Sequence, residues 1–282
     1  MRHKDLEKFI KNSLIEDIGY GDHTSQASIP YKSKNKAELI VKENGIIAGI
    51  ELANMIFKEV DENLKLKTFF NDGDKVKFGD IVFEIEGNSI SILSSERLVL
   101  NCMQHMSAIA SKTNYLNSLI SGTSCKLLDT RKTTPLNRGI EKWAVKIGGG
   151  INHRFGLDDM IMIKDNHIDF AGGVSIAIEK TKEYLKVNNL NLDIIVEARN
   201  LLEVKEILTV NGVKRILLDN FDYENTIKAV EIIGNNCETE SSGGITEKTI
   251  IKYANCGVNY ISVGALTHSL DNFDLSLKAI KK

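Results

Sequence analysis

The sequence predicts an α/β protein in which a compact α+β unit over roughly the first hundred residues precedes a parallel α/β barrel, complete or incomplete. Three observations point there. At 282 residues the chain exceeds the usual single-domain length, which leaves room for a barrel with a smaller appended domain. Residues 36–86 are dominated by short β-like runs. After Gly122, six apolar runs end in polar residues, and helical segments separate several of them.

Leu6, Phe9, Ile10, Leu14 and Ile18 stand at helical spacing and predict a helix over 6–18 that stops at Gly19-Tyr20-Gly21-Asp22. Strands are expected over 37–42, 64–69 and 80–85, with turns at Glu43-Asn44-Gly45 and Asn71-Asp72-Gly73-Asp74 and a helix near 51–61. From 94 to 120 the apolar period of Leu98, Leu100, Met103, Met106, Ile109, Ala110, Leu116 and Leu119 predicts one or two connecting helices. The barrel strands are expected over 126–130, 160–165, 193–197, 215–219, 237–242 and 259–263. Strands that alternate with helices imply right-handed βαβ units and a parallel sheet. No Gly-x-Gly-x-x-Gly or Walker sequence follows any of them, which argues against a dinucleotide fold.

Composition narrows the function classes. Hydrophobic residues at 42% and charged residues at 26% fit a globular chain, and no segment approaches the roughly 20 apolar residues that cross a bilayer. The start, Met1-Arg2-His3-Lys4-Asp5-Leu6-Glu7-Lys8, has no apolar signal core, so a cytoplasmic location is expected. Cys102, Cys125, Cys237 and Cys256 stand far apart without metal-ligand spacing and are expected as reduced, mostly buried thiols. A net charge of −2 with dispersed basic residues gives no case for nucleic acid, so any cationic site must be local.

Strand ends on the C-terminal side of a parallel barrel carry its chemistry. The first yields Asp129-Thr130-Arg131-Lys132-Thr133-Thr134-Pro135. The turn before the second holds Gly148-Gly149-Gly150-Ile151-Asn152-His153-Arg154, and the second delivers Lys164-Asp165-Asn166-His167. Arginine forks grip carboxylate or phosphate in bidentate fashion and lysine acts as a mobile point charge, so this set suits a polyanion; the bland alternative is solvated loop charge. The middle strands end in Glu197 and in Asp219-Asn220, a pair suited either to magnesium or to salt bridges with Arg131 or Lys164. The last two end in Ser241-Ser242-Gly243-Gly244-Ile245 and Val263-Gly264-Ala265-Leu266-Thr267-His268-Ser269. Their glycines let backbone N–H groups approach a phosphate, although each loop alone would pass for a plain turn. His105 is expected as a satisfied core or interface histidine, spacing alone does not raise Arg97 above helix-surface charge, and Trp143, Met160 and Met162 are expected in the core. Lys65-Leu66-Lys67 and Lys281-Lys282 are expected as solvated charge.

These strings, with Glu16-Asp17-Ile18-Gly19, Gly21-Asp22, Thr24-Ser25, Glu96-Arg97, Leu100-Asn101, Leu217 to Asn220 and Tyr260 to Ser269, resemble quinolinate phosphoribosyltransferase (nicotinate-nucleotide pyrophosphorylase, carboxylating) nearly end to end. The resemblance implies an N-terminal α/β sandwich domain over 1–110, with the C-terminal tail free to pack back on it, and an incomplete α/β-barrel catalytic domain over 111–282. It implies transfer of phosphoribosyl from phosphoribosyl pyrophosphate to quinolinate with decarboxylation, in NAD biosynthesis, with Mg2+ and no organic cofactor. It also implies a homodimer with shared active sites, with a hexamer as the larger alternative. By the same resemblance Arg97 is donated across the dimer to quinolinate, Arg131, His153 and Arg154 also contact it, and Lys132 and Lys164 lie near the reacting groups and phosphates. Glu197 and Asp219 would serve ribose and magnesium, and Ser242, Gly243, Gly244, Gly264 and His268 the 5-phosphate. Two strings depart from the family pattern: Leu136-Asn137 stands where Gly-Leu is usual, and Val196-Glu197-Ala198-Arg199 replaces an alternating Glu-Val-Glu-Val. Rival readings are a molybdenum-transport-associated relative of the same fold and a non-catalytic phosphate-binding barrel.

Overall fold

Helix α1 (His3–Ile18) buries Leu6, Ile10 and Leu14, one turn apart on one face. Gly19, at φ +53°, closes it in the left-handed conformation that glycine adopts without steric cost. The computed structural model describes residues 3–280; Met1, Arg2, Lys281 and Lys282 lie outside the described residues. After α1 come α2 (His23–Ser28), β1 (Lys34–Val41), β2 (Gly45–Ile46), α3 (Ile50–Val60), β3 (Lys65–Thr68), β4 (Lys75–Val76), β5 (Ile81–Asn88) and α4 (Ser89–Ile120). Next are β6 (Lys126–Leu128), α5 (Arg138–Ile147), β7 (Ile161–Ile163), α6 (Asp165–Ala171), α7 (Val174–Val187), β8 (Ile194–Ala198), α8 (Leu201–Leu208) and β9 (Arg215–Asp219). The chain ends with α9 (Tyr223–Ile233), β10 (Glu238–Ser242), α10 (Ile250–Asn255), β11 (Tyr260–Ser262), α11 (Ala265–His268) and β12 (Leu275–Ala279).

Two units emerge. The first takes the chain to Asn114, with Thr133–Gly149 and the stretch from Leu266 onward; the second takes Tyr115–Lys132 and Gly150–Ala265. In the first, an antiparallel sheet runs in the order β12-β1-β5-β3, so the last strand of the chain pairs with the first. Ala37, Leu39 and Val41 alternate into the core along β1, and α3 buries Ile50, Leu52, Ala53, Ile56 and Phe57. Full burial of side chains such as Leu52, Ile56 and Phe57 contributes about 1.5–3 kcal/mol each. Phe57 meets Phe83 of β5 edge to face at 5.9 Å. Gly49 offers α3 no capping side chain; Asp72 supplies one, accepting from the Ile50 N–H at 2.9 Å. The apolar stretch expected as one or two helices is a single 32-residue helix, α4. Gly148 sits so close to α4 that a Cβ there would lie 2.5 Å from the Ala110 carbonyl oxygen.

The second unit is an incomplete barrel. Its six strands form one parallel sheet in the order β6-β11-β10-β9-β8-β7, with helices between successive strands from β7 to β11. Ile151 adds a one-residue parallel bridge to Leu128 at the β6 edge, and among the described residues β6 and β7 do not pair. Each expected barrel strand is present. Met160, Met162 and Trp143, expected in the core, are only half-buried.

Candidate active site

Side chains alternate across a strand, so residues in register on neighbouring parallel strands share a face. Glu197 is in register with Leu217, Leu217 with Glu240, Glu240 with Tyr260, and Asp219 with Ser242. One face therefore carries Glu197, Asp219, Ser242, Arg215, Glu238 and Glu240, and the other carries Val196, Ile216, Leu218 and Ile261, all buried and apolar. His153, beyond the β6 edge, reaches Glu240 on β10 at 3.3 Å, a span open only across the concave side. The polar face is the barrel interior.

At the C-terminal ends of the strands Lys164, which follows β7, points its Nζ to Glu197 Oε2 at 3.1 Å. Burial pushes the Glu197 carboxyl up, the Lys164 hydrogen bond and charge oppose this, and the charges of Asp219 and Asp165 add to the rise. The sequence left open whether the acid pair binds metal or salt-bridges Arg131 or Lys164; Glu197 takes Lys164. Beside them the Asn220 backbone N–H donates to the Ser242 carbonyl at 2.9 Å, and its side-chain amide donates to Asp219 Oδ2 at 2.8 Å. Gly243 has φ +97°, and a Cβ on it would strike the Asn220 side chain, so β9 and β10 close together at a point where only glycine fits.

The cations cluster at the β6 edge. Buried Asp129 accepts from the His153 backbone N–H at 2.7 Å, and His153 Nδ1 accepts from the Arg154 N–H at 2.7 Å. Arg154 is 7% exposed. Burial first, then the charge of Arg131, hold its guanidinium below the ordinary arginine value, and Asp159 opposes them. The Nε of Arg131 is buried without a hydrogen-bond partner. Two guanidiniums whose charges act on one another, one with a buried donor to spare, form a site that an anion would stabilise.

Family models match across this geometry: the quinolinate phosphoribosyl transferase N-terminal domain over residues 22–107 and its C-terminal domain over 109–278. The chain belongs to the quinolinate phosphoribosyltransferase family. It is 46% identical to a mitochondrial quinolinate phosphoribosyltransferase [decarboxylating] of Nicotiana tabacum, over 97% of this chain and 82% of that one. A probable nicotinate-nucleotide pyrophosphorylase [carboxylating] of Bacillus subtilis is 38% identical over 98% and 94%. The solved nicotinate-nucleotide pyrophosphorylase of Francisella tularensis superposes with a TM-score of 0.93 at 38% identity, covering 99% of this chain and 98% of that one.

Among the residues that the family resemblance singles out, the barrel unit brings together Arg131 with Arg154 and His153, and Lys164 with Glu197 and Asp219. Ser242 ends β10 and Gly243 and Gly244 follow it, and Gly264 follows the adjacent β11. Lys132 is exposed, with its backbone N–H on Thr130 Oγ1 at 3.0 Å. Arg97, exposed on α4, and His268, exposed at the end of α11, belong to the first unit. Among the described residues no three His, Cys, Asp or Glu side chains form a metal cluster. Glu197 and Asp219, all-oxygen donors on neighbouring strands, fit a hard cation that takes its remaining ligands from a phosphorylated substrate and water. The sequence reading passed over Glu240, Arg215 and Glu238. The signal was present: charged residues inside short, otherwise buried strands.

Proposed function

We propose that the barrel unit binds quinolinate beside phosphoribosyl pyrophosphate and transfers the phosphoribosyl group to the pyridine nitrogen with loss of one carboxylate. The products are nicotinate mononucleotide, pyrophosphate and carbon dioxide, a step of NAD biosynthesis. The observation that carries the reading is that Arg131 and Arg154 lie near enough at the barrel mouth for one charge to depress the other: two such cations suit the two carboxylates of a pyridine dicarboxylate.

The roles follow from charge and position. Arg131 and Arg154, with His153 beside them, orient the dicarboxylate, and the partner subunit's Arg97 completes the grip in a homodimer, with a hexamer as the larger form. As the C1–O bond to pyrophosphate breaks, positive charge develops on the ribose, and the Glu197 and Asp219 carboxylates favour it. Lys132 and Lys164 meet negative charge on the leaving group, while Ser242, Gly243, Gly244, Gly264 and His268 hold the 5-phosphate. Mg2+, held by Glu197 and Asp219, would neutralise phosphate charge. Once the ring nitrogen is quaternised it stabilises the carbanion left when carbon dioxide departs, and that carbon then takes a proton. No organic cofactor is required. The domains implied are residues 1–110 and 111–282, a division close to the two family-model matches.

The test is incubation of the purified protein with quinolinate, phosphoribosyl pyrophosphate and Mg2+. Nicotinate mononucleotide and carbon dioxide are expected in equal amounts. Product from nicotinate in place of quinolinate, without carbon dioxide, would overturn the substrate.

A further inference from the structure

Beneath the mouth of the barrel lies a buried polar network that the reaction as described does not use. Glu240, on the interior face of β10, is fully buried. Arg215 NH1 donates to its Oε2 at 3.0 Å, and the same guanidinium donates from NH2 to Glu238 Oε2 at 3.1 Å. The Tyr260 ring covers that guanidinium at 3.8 Å, and its hydroxyl donates to Glu238 Oε1 at 3.3 Å. Arg215 is thus fixed on three sides, and it in turn fixes Glu240.

On its other flank Glu240 Oε2 lies 3.3 Å from His153 Nε2. The opposite ring nitrogen, Nδ1, accepts the Arg154 backbone N–H. A nitrogen that accepts carries no proton, so the His153 proton resides on Nε2, the nitrogen beside Glu240. Burial alone would raise the Glu240 carboxyl, but His153 and Arg215 together hold it below the ordinary glutamate value, so an ionised carboxylate lies 3.3 Å from that nitrogen. Both ring nitrogens of His153 therefore face protein atoms, and the imidazole ties the barrel floor to the peptide bearing the Arg154 fork.

We propose that Glu240 is a positioning residue for the dicarboxylate subsite: it fixes the Nε2–H tautomer of His153, which frees Nδ1 to hold the Arg154 amide and so aims the guanidinium. The inference rests on the functional reading above and deepens it. A carboxylate can only accept, so it selects one tautomer. An amide in its place would turn its oxygen to Arg215 and its NH2 to His153, which favours the Nδ1–H tautomer and expels the Arg154 N–H.

Two measurements decide it. Nitrogen-15 NMR of the histidine rings in the unaltered protein should show His153 protonated at Nε2 and bare at Nδ1; the reverse tautomer overturns the proposal, whatever the activity. In Glu240→Gln the His153 tautomer should invert. The KM for quinolinate should rise about tenfold or more, as expected when a charge-assisted contact is misaligned, while the KM for phosphoribosyl pyrophosphate stays within about twofold. Equal loss toward both substrates, or an unchanged tautomer, would reduce Glu240 to a structural group. Calorimetric binding of pyridine-2,3-dicarboxylate to both proteins keeps the inference separable from the reaction: a protein that binds it but makes no nicotinate mononucleotide fails the functional reading alone.

Discussion

Lys164 Nζ and Glu197 Oε2 are 3.1 Å apart at the ends of adjacent strands, and the carboxylate is far more buried than the ammonium. Burial is the main reason the Glu197 carboxyl lies above its ordinary value, and a folded value above the unfolded one means that ionisation costs stability. That cost is absent below the ordinary glutamate value of about 4.3, grows as pH rises toward the raised value, and is constant beyond it. Glu197→Gln should therefore melt at a higher temperature than the parent at pH 7, with the gap closing at pH 4. Its kcat should fall roughly 100-fold or more, because the carboxylate proposed to favour developing ribose charge is gone. Melting curves across pH, beside initial rates, check both halves.

Arg131 and Arg154 repel one another in a partly desolvated place, so a bound dianion should relieve the strain. Quinolinate alone should raise the melting temperature of the parent protein. Arg131→Met should lose most of that shift, and its quinolinate KM should rise about 10- to 100-fold, the range for a hydrogen bond to a charged group. An equal rise in the KM for phosphoribosyl pyrophosphate would place Arg131 on the phosphate side instead.

The proposed sharing of Arg97 across subunits predicts complementation. Arg97→Ala and Lys164→Ala proteins, each nearly inactive, should recover activity when mixed under conditions that exchange subunits, because hybrid dimers rebuild one intact site. A mixture as inactive as its components would argue for a site complete within one chain.

How far the sequence could be read depended on which physical signal each feature leaves. The six barrel strands were legible because each is an apolar run cut off by polar residues at the mouth, as in Leu217-Leu218-Asp219-Asn220. The β2–β4 pair, two residues each, leaves no periodicity to detect. The pairing of β12 with β1 joins segments more than two hundred residues apart, and no local pattern encodes it. Glu240 escaped because β10 was read only for the residues at its end. The alternation Glu238, Glu240, Ser242 puts all three on one face, and parity along the strand would have exposed a charged interior. The Arg131–Arg154 proximity is a product of closure: Ile151 bridging to Leu128 brings the second loop alongside the first.

Gly243 predicts a second sharp effect. At φ +97° any side chain is strained, and a Cβ would press on the Asn220 side chain and lie 3.0 Å from its backbone nitrogen. Gly243→Ala should cost about 1–3 kcal/mol of stability. It should also raise the KM for phosphoribosyl pyrophosphate while leaving quinolinate affinity nearly unchanged, since the β10 loop and the Arg131–Arg154 cluster are separate parts of the mouth. Chemical denaturation and two-substrate kinetics would show whether the two losses travel together.

Leu136 gives the opposite case, a departure from the family pattern that should be improvable. It holds φ +67° with its side chain 92% exposed, and it stands where the sequence resemblance implies glycine. A non-glycine residue in the left-handed region costs roughly 1–2 kcal/mol, and an exposed leucine buries too little surface to offset that. Glycine would remove the strain but gain freedom in the unfolded chain, so Leu136→Gly should stabilise the protein by about 1 kcal/mol at most. The denaturation midpoint should rise with no change in slope, because the surface exposed on unfolding is nearly the same. A fall in the midpoint would mean that the exposed leucine is covered in the assembled enzyme, and the same measurement on a monomeric and an associated form would separate strain from coverage.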